Sequence, residues 1–165
     1  TRRSSDLSML WKKLYTTYIR PHLEFAVSVW NPYRKGDVDL LEKVQRSATK
    51  VSHDLRNLPY ENRLKRLKLT SLVDRRRRGD LIQLFKIIRG FDSIQWEKEQ
   101  ITIDATRGKR QQLRREIIRG CDKRHYFFTN RTVNDWNNLP NQVVDVSTVN
   151  SFKNRLDFHQ KPAAS

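Results

Sequence analysis

The chain has 165 residues, with 34 lysines and arginines against 18 acidic side chains and a net charge of +16. Leu, Ile, Val and Phe make up just over a quarter of it, above the ~20% level below which a highly charged chain stays disordered. No apolar run approaches the ~20 residues of a membrane span, the N-terminal TRRSSDLSMLWKKLY lacks a signal peptide's apolar stretch, and the single cysteine, Cys121, excludes an internal disulfide.

These features predict a soluble, intracellular, folded and very basic domain with a polyanionic partner and no membrane partner. The charge is uneven. Residues 61–124 carry a net +10, against +5 over 1–60 and +1 over 125–165, so the middle is the expected electrostatic footprint.

In chain order, residues 5–19 predict an amphipathic helix, with Leu7, Leu10, Trp11, Leu14, Tyr15, Tyr18 and Ile19 at helical spacing and Ser5 or Asp6 as cap. Pro21 is expected to interrupt it. Residues 22–30 are apolar on nearly all sides, which predicts a helix buried on several faces. After the Asn31–Pro32 turn, Asp37 suits the N-cap of a helix with the apolar stripe Leu40, Leu41, Val44, Ala48, Val51 and Leu55. Lys43, Arg46 and Lys50 lie along another face of it. Pro59 opens a short helix carrying Leu64 and Leu67. Ser71 and Asp74, at capping-box spacing, open a long helix running to about residue 89. Gly90 suits its C-terminal stop.

The helical period fades over 91–122, where Ile101, Thr102 and Ile103 alternate like a short strand and basic residues crowd between Gly108 and Gly120. Helical character returns over 123–138, with Phe127, Phe128, Val133 and Trp136, and a last helix after Ser147 buries Val149, Phe152 and Leu156. The tail, 161–165, has no reason to be ordered. The expected fold is mainly α: a helical bundle over 1–92, then over 93–160 a basic extended segment with short strands and two further helices.

Catalytic chemistry needs converging acids, an activated nucleophile or a metal cluster. Acids are sparse; Asp37 and Asp39 flank a helix start, where they simply favour the dipole. Cys121 and His125 have a tolerable metal spacing, but no second cysteine completes a zinc set. No phosphate-binding glycine loop occurs. No catalytic residue, metal or cofactor is expected.

The basic residues carry the stronger signal. Arg75, Arg76, Arg77 and Arg78 fall inside the long helix, about 100° apart around its axis. They cannot all face one groove: some would contact phosphate and others pair with acids such as Asp74 and Asp80. Arg107, Lys109, Arg110, Arg114, Arg115, Arg119, Lys123 and Arg124 lie where periodicity is weak and could follow a nucleic-acid backbone, for which bidentate guanidinium suits phosphate. Trp11, Trp30 and Trp136 fall on apolar helical faces and read as core. Tyr33 and Trp96 lie in polar surroundings, where they could stack on bases or pack over helix ends.

Several segments resemble the region after the polymerase core in reverse transcriptases of jockey-like LINE (non-LTR) retrotransposons. They are LYTTYIRPHLEFAVSVWNPY (14–33), DVDLLEKVQRSATK (37–50), LRNLPYENRLKRLKLTSLVDRRRRGDLIQLFKIIRGFD (55–92), TRGKR (106–110), YFFTNRTVNDWNNLP (126–140) and STVNSFKNRL (147–156). The resemblance is collinear over about residues 10–158. The Tyr-x-Asp-Asp motif and the other palm carboxylate motif are absent, as is an endonuclease domain.

The resemblance implies a thumb-like helical region up to about residue 92, followed by a post-thumb region that binds RNA. It implies RNA and RNA–DNA hybrid as partners ahead of duplex DNA, the palm and fingers of a polymerase core as protein partner, and a nuclear location with a cytoplasmic ribonucleoprotein phase. Against it stand two other classes: a domesticated structural or protein-interaction module, able to dimerise through a patch that would otherwise meet the palm, and an independent nuclease, for which no metal site is found.

Overall fold

A computed structural model describes residues 2–94, 103–104 and 112–160. Trp96, Arg107, Lys109, Arg110, most of the 101–103 alternation and the tail 161–165 lie outside the described residues. The chain is mainly helical, as its patterning predicts. Helices α1 (Arg2–Leu14), α2 (Arg20–Glu24), α3 (Lys35–Thr49), α4 (Tyr60–Leu67) and α5 (Leu72–Ile88) precede two short strands, β1 (Ile103–Asp104) and β2 (Gln112–Leu113). Then come α6 (Asp122–His125), α7 (Phe128–Asn137), α8 (Asn141–Val144) and α9 (Val149–Gln160). The strands pair antiparallel, Ile103 opposite Leu113 and Asp104 opposite Gln112.

Two compact units form, one from Thr1–Val27 and Asn31–Arg76, the other from Ser28–Trp30 and Arg77–Ser165. The division expected at residue 92 therefore falls inside α5 instead. The cause is the helix's own pattern: Leu81, Leu84 and Phe85 are buried in one cluster with Phe128, Trp136, Phe152 and Leu156.

In the first unit, Pro21 does not interrupt the chain but sits in the first turn of α2. The turn before it, Tyr15–Ile19, is π-helical, with the Arg20 N–H donating to the Tyr15 carbonyl. A proline ring collides with the carbonyl four residues back and offers no donor, and the wider turn carries the helical path past that clash. The helix expected over 22–30 ends at Glu24. Phe25 is extended and Ala26 takes φ +48°, a left-handed position that a side chain disfavours and that breaks the helix. Trp30, read as core, is correspondingly half-exposed.

Burial also departs from the apolar stripes. On α1 and its π-turn, Trp11, Tyr15 and Ile19 face the core, while Leu7, Leu10, Leu14 and Tyr18 form a second stripe turned outward, Leu7 at 65% and Tyr18 at 67% exposure. On α3, Leu40 and Val44 are exposed, as is Val51 just beyond its end, and Glu42, Gln45 and Thr49 are buried. A hydrogen-bond network explains the inversion. The Gln45 side chain accepts from the Tyr15 hydroxyl at 2.7 Å and donates to the Tyr60 hydroxyl at 2.8 Å and the Thr70 carbonyl at 3.1 Å. Glu42 accepts from the Tyr60 hydroxyl and, at 3.0 Å, from the N–H of Leu72, one of the donors a helix start leaves unpaired. A network satisfied on every side tolerates burial that its members would not survive singly.

Helix α4 follows Pro59 and ends at Lys68, whose φ of +52° lets the Leu69 N–H reach the Leu64 carbonyl at 2.9 Å. Leu64, Leu67 and Leu69 close the core around Tyr15. The Ser71–Asp74 capping box forms, the Asp74 N–H donating to the Ser71 hydroxyl at 3.1 Å.

In the second unit, Phe85 and Phe152 stack with centroids 4.3 Å apart and planes 10° apart, beside Trp136. Aromatic pairs of this kind contribute ~0.5–1.5 kcal/mol beyond their area. Gly90, at φ +72°, ends α5 as its pattern predicts, with the Phe91 N–H donating to the Lys86 carbonyl at 2.8 Å. The single helix expected over 123–138 is broken in two, because Phe127 is extended and acts as N-cap of α7. Helix α8, four residues after Pro140, has too short a pattern to read in advance, yet it buries Val143 and Val144. The Thr148 hydroxyl caps α9 by accepting the Ser151 N–H at 3.1 Å.

Burial pushes the Tyr15 and Tyr60 phenols above their ordinary range, and Tyr60 is raised further by its bond to the Glu42 carboxylate. Unfolded phenols release their protons near pH 10 while these two hold theirs, so the folded state binds more protons and loses stability as pH rises. The expected outcome is that Tyr60→Phe is less stable than the parent at pH 8 by about 1 kcal/mol in urea unfolding. That gap narrows above pH ~10; a gap constant through that range would contradict the network.

Candidate nucleic-acid interface

The four consecutive arginines of α5 point around the helix, and each finds a protein acceptor. Arg75 makes a bidentate pair with Glu24, 2.9 Å from Nε to Oε1 and 2.8 Å from Nη2 to Oε2. Arg76, only 3% exposed, donates to the Asn31 side-chain oxygen at 2.7 Å and to the Leu23 carbonyl. Arg77 pairs with both oxygens of Asp135, with Nε 2.6 Å from Oδ2. Arg78 does the same with Asp157 at 2.5 and 2.9 Å.

Of the two roles expected for this run, the pairing with acids is seen. Arg76 is buried, and the forks of the other three are filled by carboxylates. Asp74 serves the capping box, and Asp80 is held by Arg131 at 2.8 and 2.9 Å in a largely buried pair.

The other basic group divides differently. Residues 114–119 run without helix or ladder, and Arg114, Arg115 and Arg119 are exposed along them, as is Lys123 at the start of α6. Arg124 is engaged by Glu116 through three contacts of 2.9 to 3.2 Å, so the acid nearest these cations is already neutralised. Arg115 Nη2 lies 2.6 Å from His125 Nε2. A guanidinium can only donate, so Nε2 accepts and the ring carries its proton on Nδ1. That occupancy also sets His125 against the metal-ligand reading. Among the described residues, no group of three or more His, Cys, Asp or Glu side chains could hold a metal ion.

Two asparagines of α7 fix the course of the extended segment. The Asn137 side chain accepts from the Leu113 N–H and donates to the Leu113 carbonyl, both at 2.9 Å, imitating a neighbouring strand. The Asn130 side chain accepts from the Glu116 N–H at 3.0 Å and donates to the His125 carbonyl at 3.1 Å.

The spacing is commensurate. Seven helical residues rise ~10.5 Å, and three extended residues span ~10 Å, so Leu113 meets Asn137 while Glu116 meets Asn130, with the segment antiparallel to α7. These positioning residues escape sequence reading. Their only signal is two asparagines at i and i+7 on a helix whose other face is apolar. The result is a backbone tied at two points, with its basic side chains left outward.

Tyr33, the described aromatic read as a stacking candidate, sits at the edge of exposure with the Arg34 guanidinium 5.8 Å from its ring. On α3 and at its C-cap, Lys43, Arg46 and Lys50 are all exposed, with Arg46 5.0 Å from the Tyr60 ring. Compared with protein-family models, with curated proteins and with solved structures, the chain matches none.

The two arginine groups separate experimentally. Arg76→Met is expected to lose about 2–3 kcal/mol of unfolding free energy, because the Leu23 carbonyl and Asn31 are left without a charged donor. Arg119→Gln should stay within ~0.5 kcal/mol of the parent, as an exposed substitution does. Equal losses in urea unfolding would contradict the division.

Proposed function

We propose that the chain is a non-catalytic nucleic-acid-binding domain that grips RNA or an RNA–DNA template–primer through Arg/Lys–phosphate contacts. It would act as the thumb and post-thumb region of a jockey-like LINE reverse transcriptase, the family its segments resemble, with the polymerase core as protein partner and a nuclear site of action. The observation that carries the reading is the exposed, tethered run of Arg114, Arg115, Arg119 and Lys123, beside which Glu116 is taken by Arg124. A row of cations whose interposed Glu116 is already held by Arg124, on a backbone tied at two points, favours phosphates, and such contacts supply affinity with little base readout.

The test is a fluorescence-anisotropy titration against structured RNA, an RNA–DNA hybrid and duplex DNA of equal length. If ~5 phosphates are neutralised, log K falls against log salt with a slope of roughly −3.5 to −4.5, with RNA or hybrid bound ahead of duplex DNA. Equal, weak binding to all three that vanishes near physiological salt would sink the reading.

One observation favours a second class, a protein-interaction module: the outward stripe Leu7, Leu10, Leu14 and Tyr18, a row of large apolar side chains that soluble monomers seldom leave in water. A second copy of the chain is the occupant this reading predicts in isolation. Sedimentation equilibrium should then show a mass that doubles with concentration and reverts in Leu10→Lys. A monomeric mass throughout would remove it. Among the described residues no helix is long and apolar enough to cross a membrane.

A further inference from the structure

Three side chains in and beside the extended segment stand outside a purely ionic grip. Ile117, in the middle of the basic run, is 88% exposed. Tyr126 and Phe127, in the break between α6 and α7, are each about two-fifths exposed. The contacts Arg115–His125 and Glu116–Arg124 bring these two stretches side by side, with Ile117 following one end of the paired stretch and Tyr126–Phe127 following the other. His125 meets Tyr126 edge-on, with ring centroids 4.9 Å apart, which holds the aromatic end in place. The Tyr126 carbonyl accepts from Arg131 at 3.3 Å, tying the same turn to α7.

Large apolar side chains gain nothing opposite a phosphate backbone, where water would serve the phosphates better. A duplex offers only its backbone and groove edges to such a surface, because its base faces are stacked inside. Unpaired nucleotides offer what it lacks: ring faces for Tyr126 and Phe127, apolar cover for Ile117, and phosphates within reach of Arg114, Arg115, Arg119 and Lys123. The negative groups nearby do not cancel this match. Glu116 is already held by Arg124, and Asp122 sits in the first turn of α6, where it favours the local dipole.

We infer that the surface formed by residues 114–119 and 123–127 is a single-strand site, taking an unpaired stretch of RNA by stacking on Tyr126 and Phe127 while the arginines track its phosphates. The inference rests on the nucleic-acid reading above and narrows it from polyanion to unpaired strand.

The test titrates the full chain with an unstructured single-stranded RNA of ~12 nucleotides, within the range one such platform covers, and with a blunt RNA–DNA hybrid of the same length at one salt concentration. Stacking contributes ~1–3 kcal/mol per base, so Tyr126→Leu with Phe127→Leu should weaken single-strand binding about tenfold or more. Hybrid binding should change less than twofold. Ile117→Ser, at a side chain with almost no packing to lose, should weaken the single strand alone by a smaller factor, and keeps the test open should the double variant fail to fold.

Arg114→Gln with Arg119→Gln should weaken both ligands. Loss in the arginine variant with none in the aromatic and Ile117 variants would overturn the single-strand site and leave the ionic reading standing. Loss in none of them would overturn both. Equal losses on both ligands in the aromatic variant would also overturn the inference, since a general grip needs no unpaired base.

Discussion

Four guanidinium groups on successive residues of one helix, each closed onto a different acceptor, set the terms for the rest of the molecule. Consecutive helical side chains diverge by ~100°, so a run of four reaches in every direction, and long side chains with planar forks bind whatever carboxylate or carbonyl each meets. Arg75 and Arg76 serve the first unit through Glu24, Asn31 and the Leu23 carbonyl. Arg77 and Arg78 serve the second through Asp135 and Asp157. A bidentate pair with restricted solvent exceeds the small worth of an exposed ion pair, and Arg76 could not remain buried without acceptors.

The scarcity of acids turns this into a statement about the surface. The chain has 18 acidic side chains against 34 basic ones, and Glu24, Asp80, Asp135 and Asp157 are all committed to arginines within their own units. Glu42 is withdrawn into a core network and Asp74 into a cap. The acids that remain are still well outnumbered by the cations elsewhere. Exposed cations include those along 114–119 and at Lys123, and Lys43, Arg46 and Lys50 on α3 and at its C-cap. The asparagine tethers from α7 matter for the same reason: an exposed basic segment repels itself, and fixing its backbone at Leu113 and Glu116 reduces the freedom a ligand would otherwise have to remove.

Much of the local architecture was legible in the residues. The Ser71–Asp74 box, the Gly90 stop, Pro59 before α4 and the core role of Phe128, Val133, Trp136, Phe152 and Leu156 all follow from capping chemistry and period. What failed was the assumption that apolar stripes face inward. Leu40 and Val44 face water because Glu42 and Gln45 find partners on three other segments, and no window of sequence contains those partners together. Pro21 misled because a single π-turn absorbs it. The partners of the arginine run were not legible: charge density alone does not separate a guanidinium with a distant carboxylate from one without, since Arg77 and Asp135, or Arg78 and Asp157, lie far apart along the chain. The 114–124 cations stood out as a group, but the division between engaged Arg124 and outward Arg114, Arg119 and Lys123 needed the fold.

The central claim is that the arginines of α5 hold the structure while those after β2 meet nucleic acid. Its most direct test is an NMR titration of the nitrogen-labelled chain with RNA, following the Nε–H signals of individual arginines. The account predicts that Arg114, Arg115 and Arg119 shift or broaden as RNA is added, while Arg75, Arg76 and Arg78 keep their positions and their slow exchange with water. Movement of the α5 signals with silence from 114–119 would contradict it.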